Sequence, residues 1–272
     1  MSTATTSMRD HPVVEFLASN DKVIFAQSIV LFLLVWLFLS HGLGLQARLS
    51  SPELVAMELY NLVVSMKWVP HVRATLRRLF LGFAVSLFVG TTVGVVLGMG
   101  GFWEDAFQDI VILMLAIPSL AIAIYSAMMF GFSDLTTITA AAIVSFPFVS
   151  QNIYEGVKDI DNELLEMGSA FNVSRERVFK RVIFQSILPQ WFAGARYAFA
   201  ISWKATVLAE YIVADVGMGY ILGFQMQRLS LAGVLKWIFF FLMVIMFIEY
   251  GIFQQIEKRV FDWRQEASLG FM

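Results

Sequence analysis

The chain contains no cysteine, only three histidines, and few charges: 15%, against about 25% in an ordinary soluble domain. Without cysteine there can be no disulfide, no thiolate metal ligand and no thiol nucleophile. His11, His41 and His71 lie far apart, and none has the spacing of a metal-binding pair. No Gly-x-x-x-x-Gly-Lys-Ser/Thr run occurs, so the chain has no P-loop with which to bind ATP. The 19 Lys and Arg balance 21 Asp and Glu, and no basic excess points to nucleic acid.

What is abundant is apolar. Of 272 residues, 58% are hydrophobic and 26 are Phe, and the mean hydropathy is +0.73. A globule of this size has too little interior to hide so much apolar surface. The composition fits a protein whose solvent is the lipid bilayer, built entirely from α-helices.

A spanning helix needs about 20 mostly apolar residues. Six stretches meet that need: 22–39, 75–99, 107–130, 135–152, 187–209 and 235–253. The first follows a mixed-charge segment and is too long for the core of a signal peptide, so it reads as a retained span. A polar stretch at 41–72 follows, with a short surface helix expected over 52–66, opened by Pro52.

The second span carries a small residue at every fourth position: Gly82, Ser86, Gly90, Gly94 and Gly98. Positions four apart share a helix face, so the stripe forms a smooth groove. Its ordinary use is close helix packing, and a ligand site is the rarer one. The third and fourth spans each hold one proline, Pro118 and Pro147, which would kink them, either for shape or to line a pathway.

Residues 153–186 form the longest hydrophilic stretch. Asp161 can cap a short helix, with Glu163 in its first turn, where negative charge suits the helix dipole. Leu164, Met167, Gly168 and Phe171 fall on one face. Asn172 tolerates the left-handed backbone that ends a helix, and Ser174 can cap a second, basic helix containing Arg175, Arg177, Lys180 and Arg181. Pro189 reads as the start of the next span. The product is a rigid amphipathic knob, which could lie on lipid headgroups or dock into a partner.

With six spans both termini share a side with this loop. That side collects ten of the Lys and Arg against seven on the other, where Arg73, Arg77 and Arg78 cluster. The balance places the loop and both termini in the cytoplasm.

Charges also occur within apolar helices: Arg196, Lys204, Glu210 and Glu249. Lys204 and Glu210 are six residues apart, outside the three- or four-residue spacing of a same-face pair. Lys204, with Trp203 and Glu210 nearby, reads either as lining a substrate pathway for anions or as one half of an interhelical structural pair. Glu210 and Glu249, near span ends, can reach interfacial water.

Several segments resemble a known family. Glu166-Met167-Gly168-Ser169-Ala170-Phe171-Asn172, followed by Val182-Ile183-Phe184-Gln185, is similar to the EAA loop of ABC-importer permeases. That pattern is Glu-Ala-Ala, three residues, Gly, nine residues, then Ile-x-Leu-Pro. Glu166 takes the Glu place, Asn172 the Gly place and Val182 the Ile place. Met167-Gly168 stands for Ala-Ala, and Phe184-Gln185 for Leu-Pro. Ala74-Thr75-Leu76-Arg77-Arg78-Leu79, Trp203 with Ala209-Glu210, and Gly217-Met218-Gly219-Tyr220-Ile221 resemble the nitrate/sulfonate/taurine branch.

The resemblance covers about residues 72–262 and implies a permease core of the type I importer fold. Residues 1–71 would then be an N-terminal segment, first span and external loop, and 263–272 a cytoplasmic tail. It further implies an inner-membrane subunit paired with a second permease copy, a homodimer in preference to a heterodimer. Two ATPase subunits would lie below and a substrate-binding protein above. ATP and Mg would reside on the ATPase, leaving this chain without a cofactor and without enzymatic activity. The helix from Asp161 to Phe171 would be the coupling helix, with Glu163, Leu164, Glu166, Met167, Gly168, Asn172 and Arg175 in the contact. The solute would be small, and anionic or heterocyclic. A secondary transporter or channel working without an ATPase is the competing reading. It would call for inverted repeats, and none is clear between the two halves. A membrane-embedded enzyme would call for converging catalytic groups within the spans, and no such cluster is present in the sequence.

Overall fold

The computed structural model describes residues 21–44 and 49–259. Expectations for the N-terminal segment before residue 21, for residues 45–48 and for the tail beyond 259 lie outside the described residues.

The described residues form helices only. In chain order these are α1 (Asp21–Leu37), α2 (Pro52–Val64), α3 (Val69–Gly98), α4 (Phe102–Leu115), α5 (Ser119–Phe130), α6 (Asp134–Lys158), α7 (Asn162–Ala170), α8 (Arg175–Val178), α9 (Phe184–Val213), α10 (Met218–Gln227) and α11 (Leu231–Ile248). Three π-turns extend or join them: Phe38–Gly42, Phe179–Ile183 and Glu249–Phe253. The runs Val23–Gly42, Val69–Gly98 and Leu231–Arg259 are long and apolar enough to cross a membrane, and up to five spans result if each bent helix pair counts as one. α6, the fourth span of the sequence reading, is not among these runs. Its Thr136, Thr137, Ser145 and Ser150 are buried against neighbouring helices.

In lipid the hydrophobic effect does not hold helices together, so close packing must. The central interface is α3 on α6, and α9 packs against both. Gly82, Ser86, Gly90, Gly94 and Gly98 are all buried on α3. A Cβ at Gly90 would stand 2.6 Å from Val149 Cβ, one at Gly94 2.6 Å from the Ser150 carbonyl, and one at Gly98 2.5 Å from Val157 Cβ. The stripe thus brings α6 to backbone contact with α3. The same device recurs on α9, where a Cβ at Gly194 would meet Asn152 Cβ at 2.9 Å. Ala140, Ala141, Val149 and Ile153 of α6 are wholly buried between them. A second, aromatic core joins α3, α9 and α11 through Leu79, Phe199, Trp203, Trp237, Phe240 and Phe241. α1 lies at the periphery, anchored by Trp36, which stacks on Phe239 and donates its indole N–H to the Ser50 carbonyl at 3.0 Å.

Three expectations are corrected. The stretch 107–130 is not one kinked span but two helices, α4 and α5, bent by 101°. Pro118 offers no N–H and pushes Ile117 out of helical geometry, so α4 ends in tight turns from Ala116 and Ile117, and Pro118 becomes the cap of α5. Pro147, by contrast, is accommodated inside an unbroken α6, where it is fully buried among neighbouring helices. The loop read at 153–186 is shorter, because α6 runs on to Lys158 and helix resumes at Arg175. Pro189 accordingly lies inside α9, not at its start. The glycine-rich stretch after α9 is itself the helix α10.

Candidate functional site

Three features carry chemistry: the polar stub α7–α8, an ion cluster at the opposite end of α9, and a groove along α9 between them.

The stub is built by its caps. The Asp161 carboxylate accepts from the Glu163 N–H at 2.8 Å and opens α7. Asn172 ends it with φ +51°. The Val173 N–H reaches the Gly168 carbonyl at 2.9 Å and the Asn172 N–H reaches the Ser169 carbonyl at 3.1 Å, which is the Schellman arrangement. A Cβ at Gly168 would lie 3.1 Å from Val178, so this glycine, standing where the EAA pattern has Ala, lets α8 fold closely onto α7. Ser174 opens α8 through its backbone alone. Its carbonyl accepts from Arg177 and Val178, and its hydroxyl makes no capping bond, contrary to the sequence reading.

Leu164, Met167 and Phe171 form the expected face and are exposed, Phe171 by 77%. Glu163, Glu166 and Arg175 are exposed around it. On its opposite side the stub encloses an apolar cavity of about 840 Å³ against the bundle, lined by Leu165, Val95, Ile153, Phe179 and Trp191 among others. Beside it Glu104 ties α4 to α6, accepting from Tyr154 Oη and Lys158 Nζ, each at 2.7 Å.

At the other end of α9, Glu210 is fully buried. Its carboxylate accepts from Arg78 Nη1 at 2.8 Å, Thr75 Oγ1 at 2.7 Å and the Gly219 N–H at 3.1 Å. Arg78, 5% exposed, also donates to the Val216 carbonyl at 2.6 Å and to Asp134 Oδ1 at 2.6 Å, while Arg77 pairs with the other Asp134 oxygen. The Met218 N–H donates to Thr75 Oγ1 at 2.8 Å and the Gly217 N–H to His71 Nδ1 at 3.2 Å. The first free N–H groups of α10 are therefore satisfied by side chains of α3 and α9. Gly217 permits this, with φ +142° and no room for a Cβ, which would stand 2.5 Å from the Glu210 carboxylate.

Glu210 thus does not reach interfacial water; it is fully buried within the cluster that joins α3, α9 and α10. Arg78, counted from the sequence among surface cations, is buried with it. Glu249 and Arg196 form an ion pair, and Arg196 also reaches Glu257 at 3.0 Å. Lys204 and Trp203 line one groove of about 360 Å³ together with Val207, Leu208, Tyr211, Leu222 and Phe241. Lys204 is exposed and has no ion-pair partner among the described residues. The Thr75–Arg78–Asp134–His71 set was missed by sequence reasoning. Its one local signal is that Thr75 and Arg78, three apart, share a face on a span that also carries the small-residue stripe.

Comparison with known proteins fits this architecture. Residues 88–262 match the family model for the inner membrane component of binding-protein-dependent transport systems, and the chain belongs to that family. It is 23% identical over 241 residues to the formylaminopyrimidine transport permease protein of Halalkalibacterium halodurans, covering 87% of this chain and 94% of that protein. It is 27% identical over 219 residues to the nitrate import permease protein of Synechocystis sp., covering 76% and 78%. It is 24% identical over 198 residues to the taurine transport system permease protein of Escherichia coli, covering 73% and 72%. Among solved structures it resembles the MetNI methionine ABC transporter in inward-facing conformations, with a TM-score of 0.61, 17% identity, and coverage of 72% of this chain and 98% of that one. The fold is that of a type I ABC-importer permease, and the protein is a multi-pass membrane component of an ABC transporter.

Proposed function

We propose that the chain is the permease subunit of an ATP-driven, binding-protein-dependent importer for a small anionic or heterocyclic solute. Two copies pair in the inner membrane with their termini and the α7–α8 stub in the cytoplasm. ATP and Mg act on separate ATPase subunits, and a substrate-binding protein delivers the solute from the other face. The observation that carries this reading is the stub itself. It has a doubly capped, rigid frame whose Leu164, Met167 and Phe171 are turned outward, ringed by Glu163, Glu166 and Arg175. A mobile surface loop has no need of such capping, whereas a knob that transmits force to a partner's cleft does. For transport, ATP and the loaded binding protein must favour the outward-open state differentially.

The test is purification of the tagged chain with its co-expressed ATPase in mild detergent. Stoichiometric retention of the ATPase is expected for the parent chain and a large loss for Phe171→Ala and Glu166→Lys. A chain that transports alone, or an ATPase retained equally by these variants, refutes the reading and favours a secondary transporter or channel.

A further inference from the structure

The apolar cavity behind the stub is a deep slot. Its lining runs along the helix of α9 from Phe179 to Trp191, about 18 Å at 1.5 Å per residue. Along α3 it runs from Thr91 to Met99, about 12 Å. One leaflet supplies half of a hydrocarbon core about 30 Å thick, so the slot has the depth of one acyl layer. Met99, Phe179 and Phe184 line it and are also exposed, which marks its open end. Water suits this space poorly. The polar side chains on its wall are already engaged: Thr91 Oγ1 accepts from the Trp191 indole N–H at 3.0 Å, and Lys158 Nζ donates to Glu104 at 2.7 Å. The rest of the wall is apolar, from Val95 and Ile153 to Leu165 and Leu188, and such a cavity takes an apolar guest.

Positive charge gathers at the open end. Arg177, Lys180 and Arg181 flank Phe179 in the chain and are exposed. Lys180 pairs with Glu176, whereas Arg177 and Arg181 have no carboxylate partner among the described residues. Arg181, Phe184 and Leu188 follow one another at three- and four-residue spacing, so the cation continues the face that lines the slot. Of the nearby carboxylates, Glu104 is bonded to Tyr154 and Lys158, and Asp161 caps α7. A guanidinium matches the oxygens of a phosphate diester, and basic residues at a membrane surface favour anionic lipid. We infer that the stub and the bundle together bind one anionic phospholipid, its acyl chain between Leu165 and Trp191 and its phosphate at Arg177 and Arg181. The site requires only a membrane-embedded chain, and it holds whether or not an ATPase grips the other side of the stub.

The test uses the full transporter in phosphatidylcholine vesicles. One sample contains a trace of phosphatidylglycerol with a diazirine midway along one acyl chain, and the other a trace of phosphatidylcholine with the same chain. Photolysis and peptide mass spectrometry locate the adducts. Phosphatidylglycerol is expected to label the segment holding Ile160 and Leu165 about fivefold or more over phosphatidylcholine. Phe247, exposed on α11, should be labelled equally by both. Arg177→Gln/Arg181→Gln should remove the excess, and Arg177→Lys/Arg181→Lys should keep most of it. Val95→Trp, which fills the slot without altering a charge, should lower labelling there by both lipids and leave Phe247 unchanged. Equal labelling of the slot by the two lipids, an excess that survives the glutamine pair, or one lost as fully in the lysine pair, overturns the site. ATPase retention, read on the same preparation, bears on the importer reading alone.

Discussion

Arg78 and Arg77 are neighbours in sequence and both bond to Asp134, yet their removal should have very different effects. Arg77 is 60% exposed, and its loss leaves Asp134, itself 39% exposed, in reach of water. Surface pairs of this kind contribute at most about 1 kcal/mol. Arg78 is 6% exposed at its side chain, and the Glu210 it faces is 0% exposed. With Arg78→Met, Glu210 keeps only the Thr75 hydroxyl and the Gly219 N–H, and the Val216 carbonyl loses its donor. Breaking a buried pair by removing one partner costs about 3–5 kcal/mol, because the remaining charge is stranded. For a chain of this size that corresponds to a fall in Tm of roughly 10 °C. Removing both charges in Arg78→Met/Glu210→Met should cost less than the sum of the single changes, by about 2 kcal/mol or more. Thermal unfolding of the purified complex in detergent, followed by tryptophan fluorescence, measures all four variants. If Arg78→Met is as mild as Arg77→Met, or if the double change is additive, the cluster does not hold α3 to α9 and α10.

Two further outcomes test the packing and the stub. Gly94→Leu puts side-chain atoms where a Cβ alone would already meet the Ser150 carbonyl at 2.6 Å, and should destabilise by about 3 kcal/mol or more, read as a lowered Tm. Phe88→Leu on the same helix, at a position 74% exposed, should change little. Asn172→Gly should preserve the stub and ATPase retention, while Asn172→Val, forcing a β-branched residue to φ +51°, should cost about 1–2 kcal/mol locally and raise the rate of limited proteolysis at the loop.

Features with a short period were legible in the sequence. The four-residue spacing from Gly82 to Gly98 marks a face whatever the helix packs against. Asp161 and Asn172 carry their conformational preferences with them. Features decided by neighbours were not legible. Pro118 and Pro147 look alike in sequence, but one separates two helices bent by 101° and the other lies inside a continuous α6, where it is buried while Pro118 is exposed. Arg78 and Glu210 are 132 residues apart, so nothing local announces that each is the other's partner. Trp203 and Lys204 could be singled out as unusual, but their sharing one groove without Glu210 depends on how α10 folds back on α9.

The helical run from Arg175 to Val213 begins within the stub and carries Glu210 near its far end. It is about 57 Å long at 1.5 Å per residue. Its midpoint is Gly194, where α6 approaches so closely that a Cβ would meet Asn152 Cβ at 2.9 Å. The shaft meets α6 at other points too, through Gln190 against Gly156 and through the Ser202–Ser145 hydrogen bond at 2.7 Å, and its far end is tied to α3 by Glu210. A push received at the stub would be passed along a braced strut toward the opposite membrane face, and the Phe179–Ile183 π-turn, ahead of these braces, is where the shaft would give first.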